Sequence, residues 1–558
     1  MPRSDDSCWR SAQTMADGTW TRTVYVRALG IALAWICLAS TGPRPLVAVD
    51  AVVVCPDDHR PALERWLAFR REEGLEISVV SAVADIDTQI RRVRESADGD
   101  TRYVVLIGDA PPIGTTSDAR LQVPTGYEPT RVTAAWGSTP TLATDLGYGD
   151  LNGDGKVDAA VGRLPVSTPD ELSHVVTRIL AYERSEDFGL WRGQVQLTGG
   201  IGGFGKFADA AIETVARTVI TSLLPAETRT RVAYASPGHR FCPAEASFTE
   251  AVLNRYQEGA RFWVYAGHGW VTELDRVPRG EQGIPVLDGD SVSRLKRQAS
   301  GAPIALLLAC YTGAFDAPTP CLAERMLLAD GGPIAIFAGS RVTMPYGNAT
   351  AAVGLIEGVY DRQEPRLGDA WRSMLRQLDH DDQSAEKSPV RMLIDTLAAF
   401  CSPSEFSLAD ERREHMRLYH LLGDPLLRLH HPAPITLDVE TVAIGADGGE
   451  AAIVADAAVG AGGGSQPLCV RLTSPIAGTL TVCVDRPLGS VAEGDPNETT
   501  VATFSFDVEP GQACESFLPL PSGLTGPVII RSWVAGASGW ATAAKSIVIR
   551  ERRDRAQD

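Results

Sequence analysis

His268 and Cys310 are an imidazole and a thiol placed 42 residues apart, each following an apolar run. The first run is Arg261-Phe262-Trp263-Val264-Tyr265-Ala266, ahead of Gly267-His268-Gly269. The second is Ile304-Ala305-Leu306-Leu307-Leu308-Ala309, ahead of Cys310-Tyr311-Thr312-Gly313-Ala314-Phe315. A run that stops at a small residue and then a reactive one reads as a buried parallel strand delivering a side chain to the carboxyl edge of an α/β sheet. Neighbouring strands lie about 5 Å apart, so an imidazole and a thiol at matching ends can work as base and nucleophile. That chemistry is acyl transfer through sulfur. The backbone N–H groups of Gly269 and Cys310 are the candidate donors to a developing oxyanion.

A second group of residues suggests a cation. Asp150-Leu151-Asn152-Gly153-Asp154-Gly155-Lys156-Val157-Asp158 puts oxygen-bearing side chains at positions 1, 3, 5 and 9 of a calcium loop, with glycine at 6. Position 12 is Val161 rather than the bidentate glutamate. Asp150, Asn152 and Asp154 are the expected ligands of a structural calcium ion.

The elements that must position these groups alternate. Val49 to Val54, Leu75 to Val80, Tyr103 to Ile107 and Asp158 to Leu164 read as strands. Arg60 to Glu73, Ile86 to Ala97 and Pro169 to Glu183 read as helices. This βα alternation implies a parallel sheet with helices on both faces. A second βα series runs from about Trp191 through both reactive strands to His420-Leu421-Leu422-Gly423-Asp424-Pro425. Beyond Pro432 helical periodicity gives way to alternating strands, the pattern of an all-β immunoglobulin-like sandwich of about 120 residues. The expected organisation is a signal or leader segment over 1–48, an N-terminal α/β subdomain over 49–190, a catalytic subdomain over 191–432 and the β-sandwich over 433–558.

With 558 residues and a formal net charge of −18, the chain lacks the basic balance of a nucleic-acid binder. Arg22 and Arg27 precede the apolar stretch Ala28 to Ala39, which is too short for a span of about 20 residues but fits an export signal. The sequence therefore predicts a secreted or cell-envelope location, with no membrane span in the mature chain. Export permits disulfides, and Cys469 is a candidate partner of Cys483 or Cys514.

Taken together, Tyr265-Ala266-Gly267-His268-Gly269 and Ala309-Cys310-Tyr311-Thr312-Gly313-Ala314-Phe315 resemble the gingipain-type cysteine peptidases of the caspase-like clan. Val105-Leu106-Ile107-Gly108-Asp109, Gly162-Arg163-Leu164, Ala181-Tyr182-Glu183 and Leu422-Gly423-Asp424-Pro425-Leu426-Leu427 resemble the same family in the same order. The resemblance implies a caspase-like α/β catalytic unit in two subdomains and an endopeptidase acting on protein or peptide substrates through a thioester. It also implies an acid that orients the histidine, placed just before the Gly-Arg motif. Here that position is Asp158, which is assigned to His268 in preference to the calcium loop. Met344 and Tyr346, in the segment after the next strand, are expected to line the P1 pocket. Basic P1 specificity would need an acid there, for which Asp170 or Glu171 are candidates. The alternative reading is a catalytically inactive peptidase-like scaffold whose β-sandwich binds a cell-surface partner.

Overall fold

The computed structural model describes residues 48–203, 205–243, 248–278, 281–380, 388–401, 406–441, 468–491 and 493–549. Apart from Ala48, the expected leader lies outside the described residues. Ten strands form one sheet: β1 (Ala51–Cys55), β2 (Ile77–Ser81), β3 (Tyr103–Ile107), β4 (Ala160–Leu164), β5 (Gln194–Gly199), β6 (Arg229–Tyr234), β7 (Phe262–Ala266), β8 (Ile304–Leu308), β9 (Ala335–Gly339) and β10 (Tyr419–Leu422). Their order across the sheet is β2-β1-β3-β4-β10-β9-β8-β7-β5-β6. β1, β3 and β4 are buried at every position, as continuous apolar runs require when helices cover both faces. Each such valine, leucine or isoleucine contributes about 1.5–3 kcal/mol by leaving water. The edge strand β6, Arg-Thr-Arg-Val-Ala-Tyr, has no apolar run, and the sequence reading missed it.

One expectation needs correcting. The sheet is not parallel throughout, because β10 enters antiparallel to β9, with Gly339 opposite Tyr419 and Ile336 opposite Leu422. On its other side β10 runs parallel to β4, with Leu421 opposite Gly162. The sheet is thus two parallel halves of opposed direction. The carboxyl ends of β7, β8 and β9 share an edge with the amino end of β4.

Buried charges tie the helices and loops of the first half to the turn after β10. Asp424 accepts hydrogen bonds from Trp66 Nε1 at 2.5 Å, Arg70 Nη2 at 2.7 Å and the Leu426 N–H at 2.8 Å. Glu183 takes a further Arg70 bond at 2.8 Å and one from Arg428 Nε at 2.7 Å. Arg163 donates to both oxygens of Asp145 at 2.8 Å, and that guanidinium holds the Asp145 carboxyl below the usual carboxylate range against its burial. A side chain at Gly162 would come within 2.5 Å of Pro425. The Gly-Arg, Tyr-Glu and Gly-Asp-Pro motifs are therefore parts of the frame, and removing one partner of such a buried pair costs about 3–5 kcal/mol.

The C-terminal region holds a five-stranded and a three-stranded sheet. Leu468 and Val470 of one share a core with Leu480, Val482 and Ile530 of the other. This region docks against the large sheet. Asp485, fully buried, pairs with Arg531 at 2.5 Å and Arg229 at 3.3 Å. Trp533 donates to Phe188 O at 3.0 Å. The Asn497 amide accepts from Val232 N–H at 2.6 Å and donates to Val232 O at 3.0 Å, covering strand groups that the sheet edge would otherwise expose. The suggested disulfide is not formed: Cys469, Cys483 and Cys514 are all free thiols, with Cys469 and Cys483 on different sheets. Among the described residues no helix is long and apolar enough to cross a membrane.

Candidate active site

β7 and β8 pair in parallel without a slip, from Phe262 opposite Ile304 to Ala266 opposite Leu308. Every pair is offset by 42 residues, the same interval that separates His268 from Cys310. His268 and Cys310 therefore each stand two residues past the ends of adjacent, paired strands. The turns press together as well: a Cβ on Gly269 would lie 2.9 Å from Cys310 O and 2.8 Å from Thr312 Cγ2. Only glycine permits that approach.

Cys310 is gripped by the segment after β9. The Thr343 N–H donates to Cys310 Sγ at 3.4 Å, and the thiol faces Thr343 O at 3.6 Å. Tyr311, the next residue, has φ of 58°. That left-handed backbone costs a non-glycine residue about 1–2 kcal/mol. Two bonds hold it, from Tyr311 N–H to Arg341 O at 3.0 Å and from Thr139 N–H to Tyr311 Oη at 3.2 Å. Burial pushes the Cys310 thiol above its ordinary pKa, and the Thr343 N–H draws it back.

His268 Nε2 lies 3.0 Å from Gly202 O. A carbonyl can only accept, so Nε2 carries a hydrogen, and in the neutral imidazole the lone pair is on Nδ1. The acceptor at the imidazole is thus a backbone carbonyl of the glycine-rich turn after β5. The sequence reading missed it, because a carbonyl has no residue-type signature. The visible signal was the run Gly199-Gly200-Ile201-Gly202-Gly203 closing a strand.

Asp158, expected to orient His268, is engaged elsewhere. Its carboxylate accepts the Leu151 N–H at 3.0 Å and the Asn152 N–H at 3.2 Å. It sits at the correct edge, before β4, but β10, β9 and β8 intervene before β7. Four strand spacings amount to roughly 19 Å, beyond the reach of any side chain. Asp150 accepts the Gly153 N–H at 2.7 Å and pairs with Arg94 at 3.0 Å. The Asn152 and Asp154 side chains accept the Asp154 and Lys156 N–H groups at 2.8 and 2.9 Å. These short-range bonds fold the loop by themselves. Among the described residues no three His, Cys, Asp or Glu side chains converge as a metal site.

Of the two proposed pocket residues, Tyr346 is corrected to a core position. Pro345 starts a helix, Pro345–Ile356, and turns Tyr346 into a buried cluster with Val353, Val390 and Ile394. Its hydroxyl donates to Asp395 at 2.8 Å and accepts from Arg412 at 2.6 Å. Met344 stays half-buried beside Thr343. Asp170 and Glu171 follow the carboxyl end of β4, which faces the opposite edge, and Glu171 caps its own helix by accepting the Ser167 N–H at 2.7 Å. Trp270, 51% exposed with its ring 6.5 Å from that of His268, puts apolar surface beside the imidazole instead.

One helix, Leu408–Leu418, braces the walls. Its Glu414 accepts the Arg131, Val132 and Thr133 N–H groups at 2.7–2.8 Å, fixing the loop that meets Tyr311. Its buried His415 accepts the Met344 N–H on Nε2 at 2.7 Å, with Nδ1 2.8 Å from Glu411 O. Burial lowers the His415 pKa to about 4 and raises that of Glu411 to about 7.

A thiol and an imidazole at paired strand ends, on a two-directional α/β sheet, define a cysteine peptidase architecture. The model of peptidase family C25 matches residues 44–430, and the chain belongs to that family of cysteine peptidases, whose substrates are proteins. Among solved structures it resembles the Arg-specific cysteine proteinase gingipain R (RgpB), with TM-score 0.50 and 16% identity over 90% of this chain and 98% of that one. It also resembles a structure described only as a protease, with TM-score 0.51 and 14% identity over 90% and 97%. The complex of RgpB pro- and mature domains from Porphyromonas gingivalis follows, with TM-score 0.48 and 15% identity over 90% and 100%. At these identities the likeness is one of fold. No curated protein matches the chain.

His415 gives the site a pH signature. The unfolded histidine takes a proton below about 6.5, whereas the folded one resists until about 4. The folded state therefore binds fewer protons in that window, and the stabilisation from His415 falls as pH drops from 6.5 towards 4. Glu411 works oppositely, gaining its proton more readily when folded. Replacing His415→Gln, which keeps an acceptor but cannot titrate, removes that loss and leaves the opposite slope of Glu411 uncompensated, so the urea midpoint of the variant relative to the wild type should rise as pH falls from 6.5 towards 4. An unchanged slope would show that His415 does not control it.

Proposed function

We propose that the chain is a secreted or envelope-associated endopeptidase with Cys310 as nucleophile and His268 as base. The observation that carries this reading is the unbroken parallel pairing of the strands that precede Cys310 and His268, at the same 42-residue offset that separates the two residues. As Sγ bonds to the scissile carbonyl carbon, its proton passes to His268 Nδ1 and the carbonyl oxygen becomes an oxyanion. The N–H groups of Gly269 and Cys310 receive that charge. Among the described residues neither donates to a backbone carbonyl, and such donors contribute about 3–4 kcal/mol each to the transition state. The C–N bond then breaks, the amine takes the proton from the imidazolium, and a thioester remains. Water adds to it while giving a proton to His268, the C–S bond breaks, and the sulfur takes the proton back.

Because burial raises the Cys310 thiol, the proton moves during attack rather than before it. Met344, half-buried beside Thr343, and Trp270, exposed beside His268, would meet the P1 side chain, and their apolar surfaces would favour an apolar residue there. Two sheets over one core support an immunoglobulin-like assignment for the C-terminal region, whose outward face would meet a cell-surface partner. Export is inferred from the N-terminal sequence pattern.

An acyloxymethyl ketone bearing an apolar P1 group should label Cys310, with labelling abolished by Cys310→Ala. A mixed peptide library should report the cleaved bonds. Absence of both labelling and cleavage under reducing conditions would support the inactive scaffold instead.

Calcium is proposed as a structural ion on the 150–158 loop. Its binding would compete with Arg94 for Asp150 and with the Lys156 N–H for Asp154. Saturating calcium should then raise the melting temperature by about 2–5 °C over a chelated sample, and identical melting curves would leave only a self-bonded acidic loop.

A further inference from the structure

We propose that Asp275 is the positioning residue of the histidine: its buried carboxylate ties the turn that carries His268 to the turn that carries Gly202, and supplies the negative charge facing the imidazolium. The inference rests on His268 acting as the base and gives the orienting role to a residue that follows the histidine in the chain.

Asp275 is 2% exposed. Its Oδ2 accepts the Ile201 N–H at 2.9 Å, one residue from the carbonyl that receives His268 Nε2–H. Its own N–H donates to Tyr265 Oη at 3.2 Å, and that hydroxyl donates to His268 O at 2.7 Å. One side chain and one backbone group of Asp275 thus reach both turns. Packing leaves no slack, since a Cβ on Gly200 would lie 2.5 Å from Asp275 Oδ2 and one on Gly267 would lie 2.9 Å from Gly200 Cα.

The chemistry needs such a group. Gly202 O offers the imidazole a dipole, but taking the Cys310 proton creates a full positive charge in a half-buried site. A carboxylate nearby stabilises that charge, as the third member does in other nucleophile–base arrays. Burial raises the Asp275 carboxyl, while the Ile201 N–H and the His268 imidazole hold it down. Among the groups facing it, Tyr265 is pushed well above its ordinary value, by burial first and then by the Asp275 charge, so the hydroxyl stays a neutral donor. Cys310 also acts on Tyr265, which joins the thiol to the same electrostatic group.

The test uses the full chain and two readouts. In Asp275→Asn, kcat on a peptide cleaved by the wild type should fall about a hundredfold with KM within a factor of about three. By ¹⁵N NMR of labelled histidines, His268 should form its imidazolium at lower pH than in the wild type and lose its preference for the Nε2–H tautomer. If Asp275→Asn fails to fold, Gly200→Ala, which pushes on Oδ2, should produce the same two NMR changes. Wild-type titration and tautomer in the folded variant would overturn the proposal, whatever happens to turnover. Both NMR changes in a protein whose wild type neither cleaves nor labels would uphold the role of Asp275 and defeat the peptidase reading.

Discussion

Parallel pairing of Phe262–Ala266 with Ile304–Leu308 is the constraint on which the site rests. A parallel ladder keeps one offset along its length, so the interval set inside the sheet is carried outward to the turns. A slip of one residue would bury one reactive group's neighbour and turn every side chain of that strand to the other face. The apolar residues of both strands pack against helices and prevent the slip. The left-handed Tyr311 and the Thr343 bonds then fix where the sulfur points.

The reversal at Tyr419–Leu422 decides which other residues can take part. Because this strand runs with Ala160–Leu164 and against Ala335–Gly339, the loop before Ala160 reaches the reactive edge and the helix after Leu164 does not. Asp158 thus lies on the right edge but too many strands away, while Asp170 and Glu171 lie on the wrong edge. The charges of Arg70, Glu183 and Asp424 hold this arrangement, coupling the first helix of the chain to the turn after its last sheet strand. The brace from Leu408–Leu418 completes the walls, with Glu414 and His415 reaching loops more than sixty residues away in sequence.

Much of this was legible in the residues. The two reactive strands could be read because continuous apolar runs ending at small residues have few other uses. The first three strands and their helices could be read for the same reason. Strand direction could not, since Tyr-His-Leu-Leu is the same sequence whichever way it enters a sheet. The assignment of Asp158 failed on that point: adjacency to a motif along the chain does not survive the insertion of three strands. Gly202 was invisible because its carbonyl, not its side chain, meets the imidazole. Tyr346 was misjudged although Met344-Pro345 marks a helix start, and its ring belongs to the packing behind that helix. The suggested disulfide failed on register and sheet assignment, which the sequence does not show: Cys483 lies on the other sheet, and Cys514 stands opposite Leu472 and not Cys469.

The most direct test of the central claim is the rate at which iodoacetamide alkylates Cys310 as a function of pH, followed by mass spectrometry of its peptide, in the wild type and in His268→Ala. If the two groups share a proton across adjacent strand ends, removing the imidazole should slow alkylation at pH 7.5 by about tenfold or more and change the shape of the pH–rate curve. Superimposable pH–rate curves for the two proteins would contradict it.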